Sequence, residues 1–120
     1  MAAERSWNHA RKDDIPATNG NTYYIGRCYL GQMVGFNYSG GDMVWDIYDD
    51  GTADGVAPTG TKVMTVAIDS TSGAVSHKTL VVPSLPMRFD NGIKIVSVTT
   101  ATSSNDSGFT VSYAKRAPTE

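Results

Sequence analysis

The chain has 120 residues, of which 40% are hydrophobic and 18% charged, and a net charge of −2. This length suits one domain with a core of its own, and the hydrophobic share argues against disorder throughout. A near-neutral, thinly spread charge offers no basic stripe for nucleic acid and no polybasic patch for a membrane surface. The longest apolar runs, such as Leu80-Val81-Val82, are far too short to span a bilayer. Residues 1–7 contain no apolar h-region, so the expectation is a protein made and folded in a cytoplasm. Cys28 is the single cysteine, which excludes an intramolecular disulfide and a cysteine-based zinc site.

Residues 1–21 differ in texture from the rest of the chain. Glu4, Arg5, Arg11, Lys12, Asp13 and Asp14 cancel one another, and Trp7 and Ile15 are the only large apolar side chains. No apolar face repeats at helical spacing, and Pro16 with Asn19-Gly20-Asn21 closes the segment. The reading is an extended N-terminal arm, followed by a β domain over 22–114 and a short tail over 115–120. An arm has no core for Trp7, so its ring is expected to dock on a partner. Arg5, Trp7, Arg11 and Ile15 are the candidate partner-binding residues.

From residue 22 the chain becomes a series of short β-type runs separated by Gly, Asn, Asp, Ser and Pro. Thr22-Tyr23-Tyr24-Ile25 begins the first, and 28–38 continues it with breaks at Gly26, Gly31 and Gly35. Val34, Phe36 and Tyr38 alternate with small or polar residues. Met43, Trp45 and Ile47 alternate with Asp42, Val44 and Asp46, the period of a half-buried strand. Ser39-Gly40-Gly41 lies between the two runs, which together predict a hairpin.

Residues 49–60 form a long polar loop. Residues 61–69 predict a strand with Met64, Val66 and Ile68 on one face, and Ser70-Thr71-Ser72-Gly73 turns into the next run at 75–82. Pro83 and Pro86 bracket an irregular crossing, because proline cannot donate to a central ladder. Asp90-Asn91-Gly92 leads into 93–99, and Asn-Gly between β-type runs favours a type I′ turn. After the turn at 103–108, Phe109, Val111 and Tyr113 against Thr110 and Ser112 make the clearest alternation in the chain. The sum is an all-β fold of seven to eight short strands, an antiparallel β-sandwich or a jelly-roll-like barrel.

Chemistry is hard to assemble from these residues, and the expectation is a protein that is not an enzyme. A nucleophilic site needs Ser, Thr or Cys beside an oriented base, but His9 and His77 lie far apart in sequence and no motif joins either to Cys28. A lone cysteine within a strand reads as a small core residue. The loop Asp49-Asp50-Gly51-Thr52-Ala53-Asp54-Gly55 is the best metal candidate, since hard cations need converging oxygens. Its spacing is not that of an EF-hand, and Asp and Gly serve turn geometry equally well, so no metal and no cofactor is assigned. The strand tyrosines are explained by packing, with Trp45 on the inward face.

The stretch from Pro83 to Val96, Pro-Ser-Leu-Pro-Met-Arg-Phe-Asp-Asn-Gly-Ile-Lys-Ile-Val, together with the closing Thr110-Val111-Ser112-Tyr113, resembles the late segment of small virion proteins of tailed phages. The resemblance covers residues 80–114 and leaves out the arm and the loop 49–60. It implies a virion component, and a decoration (cement) protein of the head suits a Ser/Thr/Gly-rich β unit that adds contacts around symmetric positions. The expected partners are the major capsid protein or other virion proteins, within a homo-oligomer or symmetric assembly. The alternative is a tail, neck or fibre module binding a host surface glycan through exposed tyrosines and the loop 49–60.

Overall fold

The computed structural model describes residues 7–38, 42–68, 78–98 and 107–116, with 78–85 described by their backbone alone. Eight strands run through them: β1 Trp7–Asp13, β2 Asn21–Ile25, β3 Cys28–Asn37, β4 Met43–Asp49, β5 Thr61–Ile68, β6 Lys78–Phe89, β7 Gly92–Ser97 and β8 Ser107–Ala114. They pair antiparallel in two four-stranded sheets, ordered β1-β8-β3-β6 and β2-β7-β4-β5. The two sheets bury their inner faces against each other, which makes a β-sandwich.

The core is built by alternation. Met43, Trp45 and Ile47 of β4 all point inward, as do Val66 and Ile68 of β5 and Phe109 and Val111 of β8. Trp45 from one sheet meets Phe109 from the other edge-on, with ring centroids 4.7 Å apart, a geometry that aromatic quadrupoles favour. Polar ties also cross between sheets: Tyr23 donates its hydroxyl to the Phe109 carbonyl at 3.0 Å, and Asn37 Nδ2 donates to the Ile68 carbonyl at 2.8 Å. The central strand β7 is buried along its whole length.

Three expectations are corrected. First, β3 and β4 are not a hairpin, because they lie in different sheets. Among the described strands only β4 and β5 are both consecutive and paired; every other pair of consecutive described strands lies in different sheets. The Asn91-Gly92 corner makes such a crossing between β6 and β7, with Gly92 at φ 152° and Asn91 outside the left-handed region, so it is not a type I′ turn. Turn residues announce a reversal of direction, and they do not say whether the next strand pairs with the last or crosses over it.

Second, the inward side of β3 differs from the one its hydrophobic alternation suggests. Val34 and Phe36 are half-buried on the outer side, while Met33, Gly35 and Asn37 are buried. The register shifts between Leu30 and Gln32 against both neighbours, and such an irregularity exchanges the two faces of a strand. The inward Gly35 leaves room for the Phe109 ring, whose Cε1 would lie 2.4 Å from a Cβ at that position.

Third, the residues read as a free arm are partly strand. Residues 7–13 are extended, but they are laid along β8 from Trp7↔Ala114 to Asp13↔Gly108. Ile15 is only 1% exposed and belongs to the core. The body therefore begins at Trp7 rather than at residue 22. The irregular crossing expected at Pro83 and Pro86 lies within one edge strand, β6, whose ladder with β3 is interrupted between Pro83 and Met87. The turns at 39–41 and 70–73, His77 and residues 117–120 of the tail lie outside the described residues.

Candidate interaction face and the loop over the second sheet

Edge strand β1 places Trp7, His9 and Arg11 on the outer side of its sheet, because their register partners Ala114, Ser112 and Thr110 alternate with the core residues Val111 and Phe109. Each side chain is held by the strands beside it. The Trp7 ring reaches across to β3, where a Cβ on Gly31 would lie 2.3 Å from its Cζ3. His9 Nδ1 and Ser112 Oγ are hydrogen-bonded at 2.7 Å. The Arg11 guanidinium sits 4.8 Å from the centroid of Phe36 and donates to Asp13 Oδ1 at 2.9 Å. The hydrogen bond and charge of Asp13 raise the guanidinium pKa above its ordinary value. With Tyr29 and Val34, which alternate with the inward residues of β3, this face presents half-buried rings and aliphatic carbons around the oriented Arg11 cation.

Of the four residues proposed to grip a partner, Trp7 and Arg11 come together on this face. Ile15 does not, since it is enclosed by the core, and Arg5 lies outside the described residues. Val34 and Phe36 join the face unforeseen. The signal that would have found them is Gly31, whose place in the register break of β3 reverses the strand.

The second feature is the loop between β4 and β5, which folds back over the outer side of the other sheet. Lys94 of β7 is fully buried beneath it, and its ammonium donates to Thr52 Oγ1 at 2.8 Å, to the Ala53 carbonyl at 2.9 Å and to the Val56 carbonyl. Asp50 accepts from the amide of Thr52 at 2.7 Å, from the Thr52 hydroxyl, and from the amides of Thr59 and Gly60. Burial alone would raise the Asp50 pKa, but these hydrogen bonds outweigh it and the net shift is downward. Asp49 accepts from the amides of Asp90 and Asn91 at 3.0 and 2.8 Å, and Asp54 from that of Thr22 at 2.6 Å. The acidic residues that suggested a cation site therefore pin the loop and the β6–β7 corner to the sheet.

A polar depression of about 360 Å³ opens beside this loop, lined by Asp49, Asp50, Thr52, Thr59 and Asn91 among others, none of them aromatic. The tyrosines invoked for stacking a sugar do not meet there. Tyr24 and Tyr113 pack on each other at 5.0 Å, and Tyr23 is in the core. Cys28 is fully buried, and desolvation together with the nearby Asp49 charge pushes its thiol up to about 12. At neutral pH such a thiol holds almost no thiolate, the form that acts as nucleophile.

No family model matches the chain, and comparison with curated proteins and with solved structures finds no match either.

Proposed function

We propose that this chain is a virion structural protein of a tailed phage, and specifically a capsid decoration (cement) protein that binds the head shell and stabilises it. The observation that supports a binding role is the outer face of β1, β8 and β3. Trp7, Phe36, Tyr29 and Val34 offer apolar area there, and Arg11 is already oriented by Asp13 and Phe36. Aromatic and arginine side chains dominate the energetics of protein interfaces, and groups held in place before binding lose less entropy on association. The resemblance of residues 80–114 to small phage virion proteins supplies the kind of partner, a symmetric shell that offers the same contact many times.

The test is a mass-spectrometric count of this protein in purified virions, relative to the major capsid protein. A ratio of capsid-lattice order supports decoration. A handful of copies moves the protein to a neck, tail or fibre, where the same rings would be tested for binding a host glycan. Absence from the particle overturns the virion reading. Deleting residues 1–21 is a poor way to remove the contact, because it takes away strand β1 and the core residue Ile15. Replacing Trp7 and Arg11 by alanine leaves the β1 backbone ladder in place and is expected to abolish shell binding by a protein that still folds.

A further inference from the structure

Of the two Asn-Gly pairs in the chain, Asn19-Gly20 and Asn91-Gly92, the second joins an exposed asparagine to a buried glycine at the β6–β7 corner. Asn-Gly is the pair most open to spontaneous loss of the side-chain amide, because glycine has no side chain to shield its nitrogen or restrict its backbone. In that reaction the Gly92 nitrogen loses its proton and attacks Asn91 Cγ. The N–Cγ bond forms, the Cγ–Nδ2 bond breaks, and ammonia leaves with the proton. Water then opens the succinimide. Cleavage at Cγ leaves an aspartate at this position, and cleavage at the main-chain carbonyl leaves an isoaspartate, with the main chain lengthened by a methylene.

The fold holds the peptide group that must react at both of its polar atoms. The Asn91 carbonyl accepts from the amide of Gly26 at 2.7 Å, and the Gly92 amide donates to Asp49 Oδ1 at 3.3 Å. The same carboxylate accepts from the amides of Asn91 at 2.8 Å and Asp90 at 3.0 Å. The attacking nitrogen must shed its hydrogen bond to Asp49, and the anion formed as its proton leaves would face that carboxylate. A like charge disfavours such an ionisation. The corner also has little room to shift: a Cβ on Gly92 would lie 2.3 Å from the Tyr24 carbonyl oxygen, and one on Gly51 would lie 2.8 Å from that of Asn91.

We propose that Asn91-Gly92 is a spontaneous modification site held shut by Asp49, so that release of the corner, rather than exposure of the asparagine, sets when it deamidates. Asp49 begins the loop whose next residue, Asp50, is tied both to the Gly92 carbonyl, at 3.0 Å, and to the return of the loop at Thr59 and Gly60. The site is thereby coupled to the roof over the second sheet. The change runs one way. An added methylene between positions 91 and 92 puts the amides of the corner out of step with the Asp49 carboxylate, so a corner that has opened and reacted does not close as before. The chain keeps a covalent record of past opening.

The experiment incubates the full chain at mildly alkaline pH, folded and unfolded in urea. Peptide mapping by mass spectrometry follows conversion of Asn91, and enzymatic methylation detects isoaspartate. Conversion is expected to be slower in the folded protein by about tenfold or more, since hydrogen bonds to a charged group must be lost first. Asp49→Ala is expected to speed conversion in the folded protein about tenfold, with circular dichroism unchanged. Should that variant unfold, the unmodified chain decides: low urea is expected to speed Gly92 hydrogen exchange and Asn91 conversion in the same proportion. Equal rates in the folded and unfolded chain overturn the proposal. So does a folded Asp49→Ala protein that converts no faster, or a conversion rate that does not follow Gly92 exchange.

Discussion

Lys94 and Asp50 are joined through a single hydroxyl: Thr52 Oγ1 accepts from the Lys94 ammonium at 2.8 Å and donates to the Asp50 carboxylate. The buried cation and the buried anion thus share a loop residue, and each also holds backbone groups of the same loop. The loop is fastened at its start by Asp50, at its middle by Lys94 and at its return by Thr59 and Gly60. The segment that reads as a long polar loop is the roof of the second sheet.

Lys94→Met keeps the length of the side chain and removes the ammonium. The carbonyls of Ala53 and Val56 then lose their donor, and Thr52 loses one of its partners. Hydrogen bonds to a buried charge contribute about 1.5–3 kcal/mol each, and breaking such a group costs about 3–5 kcal/mol. The expected outcome is a loss of about 3 kcal/mol in urea unfolding, with faster hydrogen exchange confined to residues 52–60.

Asp50 predicts an acid-sensitive roof. Its folded pKa lies below its ordinary value of 3.8, so the unfolded chain binds the proton more readily than the folded one. The stabilisation is therefore fully present above about pH 4 and is lost as pH falls through the depressed folded value. Asp50→Asn replaces an acceptor by a donor facing the amides of Thr59 and Gly60, and is expected to cost about 2 kcal/mol at neutral pH. Melting temperatures measured between pH 2 and pH 7 are expected to converge for the two proteins at the acid end; a constant gap down to pH 2 would assign the cost to packing.

Gly35→Ala tests the contact that sets the depth of the core. Its Cβ would lie 2.4 Å from Phe109 Cε1, and the ring cannot withdraw without leaving its edge-on contact with Trp45. Overpacking of this kind costs about 1–3 kcal/mol. Chemical denaturation is expected to show that loss together with an altered near-ultraviolet circular dichroism of Trp45, whereas a fully compensated core would leave both unchanged.

Local alternation made much of the sandwich legible. In β4, in β5 from Met64 to Ile68 and in β8 from Phe109 to Tyr113 a single period-two pattern holds, so Trp45, Val66, Phe109 and Val111 could be placed inward from their neighbours alone. The same logic failed wherever a long-range pairing overrode the local signal. β1 shows no apolar alternation because it is an edge strand, held by backbone bonds to β8 and by a Trp7 ring that needs the absent Cβ of Gly31. β3 looked inward at Val34 and Phe36 until the register break beside Gly31 reversed it.

The candidate face divides in the same way. Trp7 and Arg11 stood out because a large ring and a cation are conspicuous in a segment without a core, but Ile15 was conspicuous for the same reason and belongs inside. Period, composition and breaker residues determined that this chain is an all-β fold of seven to eight short strands, a sandwich or a jelly-roll-like barrel, since each half-apolar sheet needs another to cover it. Only the tertiary structure decided which consecutive strands pair, which face of β3 is inner, and that Lys94 and the loop acids bind each other's surroundings in place of a cation. Those choices depend on residues dozens of positions apart, and no local pattern carries the energy of a contact whose partner is elsewhere in the chain.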